Sequence, residues 1–406
     1  MNRIPSEGSL RITILLIWLL VLTSCAPAAA PAPTTIPSPV VTNTLPPPAT
    51  ATQPPEASPT ALPTETAIPS ATKEISPTTV PTKFFQFYKK NPVLPAGTDP
   101  NWDNTFIDPG ATFYYQGQFH MFFNGINGFP RPVGVGYATS PDGYQWTRQV
   151  TQPVFGALDL DPQGEFHGQN LFVTSGLVLE DGTWVLYYYT LNSSTFSGPQ
   201  TIGRATAPGP KGPWTADPDP VLEPGPEGAW DEIQVSSPDV LKTPDGYLMY
   251  YDGMGRRSMI GMATSPDGIH WSKYDDPSTK DNAFIESDPV LVNDEGTWDA
   301  GRVMDPNVVQ TDQGYVMLYL STDGLIKFGN STYAIGYATS QDGIHWKKGK
   351  ENPVLSSQDN PYWGQTFLVT LVHEEDTYFL YFDFKAVNIR GTNVFLATHK
   401  GTIGIP

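Results

Sequence analysis

The chain has 406 residues, 42 of them Pro, and sets 23 basic against 41 acidic side chains for a formal net charge of −18. A surface this acidic repels phosphate backbones, so nucleic acid is excluded as a partner. With one cysteine, no intramolecular disulfide can form.

In chain order, residues 1–24 read as a signal peptide. Arg3 and Arg11 precede the apolar run Ile12 to Leu22, too short to cross a ~30 Å hydrocarbon core but suited to the apolar region of an export signal. The run ends in Leu22-Thr23-Ser24-Cys25, which resembles the bacterial lipobox. That resemblance implies lipidation of Cys25, export, and anchoring of the protein to the cell membrane or cell surface. Residues 26–82 contain 15 Pro and 13 Thr with neither Gly nor aromatic residues. Such a segment buries too little apolar surface to offset its ordering entropy, so 25–82 reads as a disordered tether. Its Pro content stiffens it toward a reach of ~3.1 Å per residue.

The remainder, 83–406, is built on a repeat. Asn91-Pro92-Val93-Leu94 recurs as Gln152-Pro153-Val154-Phe155, Asp219-Pro220-Val221-Leu222, Asp288-Pro289-Val290-Leu291 and Asn352-Pro353-Val354-Leu355, at intervals of 61, 67, 69 and 64 residues. After each comes a Trp-Asp or related pair, then a short strand, an aromatic strand such as Tyr247 to Tyr251, a Gly-containing strand such as Gly261 to Thr264, and a Ser-x-Asp-Gly turn into a last strand. Four short strands per repeat make one propeller blade. The expected fold is all-β, a five-bladed β-propeller of four-stranded antiparallel blades. The last repeat lacks its fourth strand, and Lys83 to Lys90 stands ahead of the first repeat where that strand belongs. The N-terminal strand 83–90 is therefore expected to complete blade five and close the ring, making 83–406 one domain.

Features that recur identically read as scaffold. The Asp142, Asp267 and Asp342 turns are expected to bond their own backbone, and Asp103, Asp231 and Asp299 of the Trp-Asp pairs to serve the framework. Chemistry is sought where the blades differ, on the loops around the axis. Aligning the aromatic strands sets Asp108-Pro109 against Thr174-Ser175, Ser237-Pro238 and Asp305-Pro306, so blades one and four place a carboxylate at the head of the innermost strand. Two residues after the Trp stand Asn104, Gln169, Glu232, Ala300 and Gln365, mostly polar heads suited to sugar hydroxyls. His167 replaces Trp in blade two. Trp102 and Trp363 could offer platforms to a sugar ring, and Arg131 and Arg256 lie on the loops between second and third strands.

Five blades, Ile107-Asp108-Pro109, and the junction Ala263 to Trp271 resemble the five-bladed propeller glycosidases of glycoside hydrolase families 43, 32 and 68, which include arabinanases, invertases and levansucrases. The resemblance spans 83–406. It implies an oligo- or polysaccharide as ligand and three carboxylates from the first three blades: a base or nucleophile, a tuning Asp and a general acid. Asp108 matches the first. Blades two and three carry Thr174-Ser175 and Ser236-Ser237 where the others would lie, so two of three positions depart from the pattern. Two readings follow. In one, Asp108 is base or nucleophile, Glu232 or Glu165 is the acid, and Asp305 holds sugar hydroxyls or tunes its neighbour. In the other, the propeller binds a glycan without cleaving it. No cofactor is expected, although a central structural ion is compatible with the fold, and the protein is expected to be monomeric.

Overall fold

The computed structural model describes residues 84–98, 100–128, 132–160, 170–191, 200–322, 333–356, 366, 368–384 and 391–405. All lie in the second of two compact units, Glu74–Pro406. The segments expected to be a signal peptide and a tether, Cys25 among them, fall outside the described residues.

The described fold is all-β apart from the short helix Ala157–Leu160 and the 3-10 turn Asn282–Phe284. Five antiparallel units succeed one another. The first is Phe106–Tyr115, Gln118–Ile126, Gly134–Ser140 and Thr147–Arg148. The second is Asn170–Val178, Trp184–Leu191, Ile202–Ala207 and Thr215–Ala216. The third is Gln234–Thr243, Gly246–Met254, Ser258–Ser265 and Ser272–Lys273. The fourth is Arg302–Thr311, Gly314–Thr322, Tyr333–Ser340 and Lys347–Lys348. In the fifth, Val369–Glu374, Thr377–Phe384 and Asn393–Lys400 are joined by Gln86–Phe87 from the start of the domain, with Gln86 opposite Thr398.

The second strands are apolar almost without alternation because units pack on both their faces; every residue of Thr377–Phe384 is buried. The recurring Pro-Val-Leu segment carries the chain between units. Its last residue lies opposite the third strand of a unit in all five copies: Leu94 to Val394, Phe155 to Val135, Leu222 to Ile202, Leu291 to Ile260 and Leu355 to Ile335.

The Ser-x-Asp-Gly turns behave as the sequence predicts. Asp142 Oδ1 accepts the amides of Tyr144 and Gln145 at 2.9 and 2.8 Å, and Asp267 and Asp342 repeat the pattern. Gly143, Gly268 and Gly343 adopt φ of 76°, 74° and 79°, where a side chain would be strained. Each offers its carbonyl to a buried Tyr hydroxyl of an adjacent unit: Tyr381 to Gly143 at 2.7 Å, Tyr187 to Gly268 at 2.7 Å, Tyr250 to Gly343 at 2.8 Å.

The Trp-Asp pairs are framework. Trp102, Trp230 and Trp298 stack on Phe123, Tyr251 and Tyr319, with centroids 5.7, 5.9 and 5.7 Å apart. The neighbouring Asp103, Asp231 and Asp299 pair with Arg148, Lys273 and Lys348 of the fourth strands at 2.9, 2.6 and 2.6 Å. The Asp231 side chain is fully buried, and a buried carboxylate left without its cation carries its whole desolvation penalty. Lys273→Met should therefore destabilise the domain by about 3 kcal/mol, read as a lowered urea midpoint; an unchanged midpoint would remove this pair from the framework.

Candidate functional site

The first strands of consecutive units lie side by side, and the fifth lies beside the first. Their heads surround a cavity of about 480 Å³ to which all five units contribute, with Asp108, Phe172, Ser236, Asp252, Asp305 and Leu368 among its lining residues. The heads are shaped by a recurrent register shift, between Asp108 and Ala111, Val173 and Ser175, Ser236 and Asp239, and Met304 and Asn307. Such bulges re-aim side chains.

The bulges correct the sequence alignment. Across the ladder, Asp108 faces Asn124, Ser236 faces Asp252 and Met304 faces Leu320. Asp305 thus sits one position further on than Asp108, inside the bulge at φ 54°, with Ser237 at φ 47° as its counterpart. Aligning on Asp-Pro hides this, because Pro109 fills the first bulge position and Pro306 the second.

Asp108 is completely buried. Its Oδ1 accepts the Asn124 side-chain amide at 2.7 Å, while Oδ2 is buried with no partner among the described residues. Burial, and then repulsion from Asp383, holds its carboxyl well above the usual carboxylate range, against the opposing Asn124 hydrogen bond. Asp305 is also buried and held high by desolvation, but it is committed: its Oδ2 accepts the Val369 amide at 2.7 Å.

Two acids that sequence reasoning missed belong here. Asp252 accepts from Ser258 Oγ at 2.6 Å and Ser236 Oγ at 3.4 Å; burial pushes it up to about 6, opposed by those hydroxyls and by the Arg302 cation. Asp383 accepts the Leu368 amide at 3.0 Å, and its charge raises Asp108 and Asp305. Both directly follow the aromatic strands, in Tyr250-Tyr251-Asp252 and Tyr381-Phe382-Asp383. A carboxylate ending an otherwise apolar run was the available signal.

Other expected residues lie elsewhere. Glu232 does not line the cavity; its loop folds back, and Oε2 accepts the Gly228 amide at 2.5 Å. Trp102 stacks on Phe123 and lies outside the lining, as does the buried Asn104, which accepts the Thr105 hydroxyl at 2.8 Å. Arg256 is exposed and also outside it. Arg131, Glu165, His167, Gln169, Trp363 and Gln365 fall outside the described residues. Among the described residues, no group of three His, Cys, Asp or Glu is placed to hold a metal ion.

Asp252 makes stability depend on pH. Because its folded pKa of about 6 exceeds the ordinary 3.8, folding favours its protonated form. That stabilisation is complete below about 3.8 and is lost as pH rises through about 6. Asp252→Asn cannot titrate, so the Tm of the wild type relative to this variant should fall between pH 4 and pH 7. A difference that stays flat across that range would contradict the assignment.

Residues 97–293 match the Glycosyl hydrolases family 32 N-terminal domain. A 140-residue stretch, 32% of this chain, is 31% identical to an uncharacterized protein of Mycobacterium tuberculosis, and the match covers 42% of that relative's length. A glycosyl hydrolase from Bacteroides ovatus superposes with a TM-score of 0.59 at 21% identity, covering 77% of this chain and 94% of its own. A structure described with the GH130 family of mannoside phosphorylases, in work on glycoside hydrolases that target β-1,2 mannosidic linkages in Candida mannan, gives 0.59 at 19% identity, covering 79% and 96%. Likeness at these identities establishes fold. The fold is thus a β-propeller, and residues 97–293 are similar to the N-terminal domain of glycosyl hydrolases family 32.

Proposed function

We propose that the five units are the blades of a closed propeller whose axial cavity binds a glycan and cleaves a glycosidic bond. The observation that carries this reading is the Asp108 Oδ2 atom, buried at the cavity without a partner. An unsatisfied buried oxygen costs about 1–3 kcal/mol, and a carboxyl so left is satisfied once it shares a proton with a ligand oxygen.

Roles follow from the two environments. Desolvation, and then repulsion from Asp383, raise the Asp108 carboxyl well above the usual carboxylate range, the direction that suits it to protonate a departing glycosidic oxygen. Asp252, supported by Ser258, Ser236 and Arg302, ionises at about 6 and is the base that activates the attacking water. Asp305, fixed by Val369, orients sugar hydroxyls. The resemblance to the propeller glycosidases implies a base or nucleophile at Asp108; the electrostatics of the empty cavity favour the acid.

Binding without turnover is the second reading, favoured by the hydroxyl residues Thr174-Ser175 and Ser236-Ser237 where the family pattern has carboxylates. Asp108→Asn should lower the rate of reducing-end release by about 10²–10⁴-fold with binding retained. The wild-type rate should rise with pH through about 6, and Asp252→Asn should lose that limb. Calorimetric binding of a glycan that the wild type never cleaves would decide for the second reading, and a full rate in Asp108→Asn would remove Asp108 from the chemistry.

We further propose export and lipid anchoring through Cys25, with 26–82 holding the domain away from the membrane. This rests on the lipobox-like Leu22-Thr23-Ser24-Cys25. Cys25→Ser should move the protein from the membrane fraction to the soluble fraction; retention on the membrane would refute the anchor.

A further inference from the structure

Two of the framework Trp residues, Trp230 and Trp102, differ in what covers them. In the third unit Trp230 is buried: its indole N–H donates to Ser287 Oγ at 3.0 Å, its backbone amide donates to the Ala283 carbonyl at 2.9 Å, and Phe284 packs on the same cluster. These covering residues belong to the segment 275–288 that follows Ser272–Lys273. In the first unit, the strand Thr147–Arg148 is followed only by 149–152 before Pro153. The counterpart space is a cavity of about 580 Å³, lined by Asn101, Trp102, Asp103, Arg148 and the segment 149–152.

Trp102 is half-buried there, stacked on Phe123, and its indole N–H has no hydrogen bond to another described residue. The Arg148 guanidinium is already used, by Asp103 at 2.9 Å and the Pro95 carbonyl at 2.5 Å. The charge in the cup is therefore neutralised internally. The side-chain amides of Asn101 and Gln152 make no hydrogen bond to described residues and remain for a ligand.

We propose that this cup is a second saccharide-binding site, distinct from the axial cavity, with which it shares no lining residue. The third unit shows the chemistry the cup accepts: an apolar ring and a hydroxyl oxygen that receives the indole N–H. A neutral pyranose offers both in one molecule, a C–H face for the indole and hydroxyls for its N–H and for the amides of Asn101 and Gln152. The choice of a saccharide over another ring-and-hydroxyl ligand rests on the glycan reading of the axial cavity. The cup would hold a polymer at the rim while its chain is presented to the axis, raising the local concentration of cleavable bonds.

The test uses full-length Asp108→Asn protein labelled with 5-fluorotryptophan, so that sugars bind without being consumed. Trp102→Phe, which keeps an aromatic ring against Phe123, identifies the Trp102 fluorine resonance among those of the 10 Trp residues. Titration with mannohexaose, xylohexaose and arabinohexaose should move that resonance saturably for at least one sugar, with a Kd on the order of 1 mM. Gln152→Trp, which places a bulky ring in the cup, should weaken this binding about tenfold or more at unchanged Tm. Cleavage of the same sugars by the wild type is followed in parallel. A silent Trp102 resonance with all three sugars, or a response unchanged in Gln152→Trp, overturns the second site even if cleavage is seen. A saturable Trp102 response without cleavage upholds the site and counts against the hydrolytic reading alone.

Discussion

First strands packed around an axis are sheet edges, and their outward N–H and C=O groups face neighbours with which they form no ladder. Side chains make up the deficit. Asn124 reaches across to both the amide and the carbonyl of Val173, at 2.9 and 3.0 Å. Ser175 accepts the Val240 amide at 2.9 Å, and Asp239 accepts the Val308 amide at 2.6 Å. Asn307 bonds the Val369 carbonyl and the Leu371 amide at 2.9 and 3.3 Å, and Thr392 does the same for Ile107 at 3.0 and 3.1 Å. These clips run from first unit to second, second to third, third to fourth, fourth to fifth, and fifth to first.

That requirement explains why an axial region of a β-structure is so rich in buried polar and acidic side chains. It also separates acids with a framework duty from those free to react. Asp239, pushed up to about 7 by burial, is engaged by Val308 and Ser175. Asp305 is engaged by Val369. Asp108 is clipped through one oxygen only, and the other is left at the cavity. The candidate chemistry is thus a residue of the clip system: a group partly tied into the frame, with one atom unassigned.

The same frame accounts for which sequence expectations succeeded. The spacing of Pro-Val-Leu, the Asp-Gly turns and the Trp-Asp pairs is dictated by local geometry repeated in each unit, so those features could be read from residues alone and the structure bears them out. Glu232 was inferred from its offset after Trp230, but offset in a loop carries no direction; the loop turned the side chain back onto Gly228. Asp108 and Asp305 were equated through Asp-Pro, yet Asp108 precedes the bulge of its strand while Asp305 lies inside the equivalent one, one position further on. Asp252 and Asp383 were passed over because they end runs whose aromatic content explained them as core.

By itself the sequence determined the all-β repeat, the turns that close it, the pairing of an N-terminal strand with the last unit, and Asp108 as a carboxylate at the head of a first strand. Each of these depends on near neighbours along the chain or on a period, both of which are visible in one dimension. Only the tertiary structure decided which acids converge, since Asp108, Asp252, Asp305 and Asp383 come from four different units and meet because five strand heads share one axis. It also decided that Trp230 is covered and Trp102 is open, a difference set by whether the segment after the fourth strand is long enough to fold back over the indole.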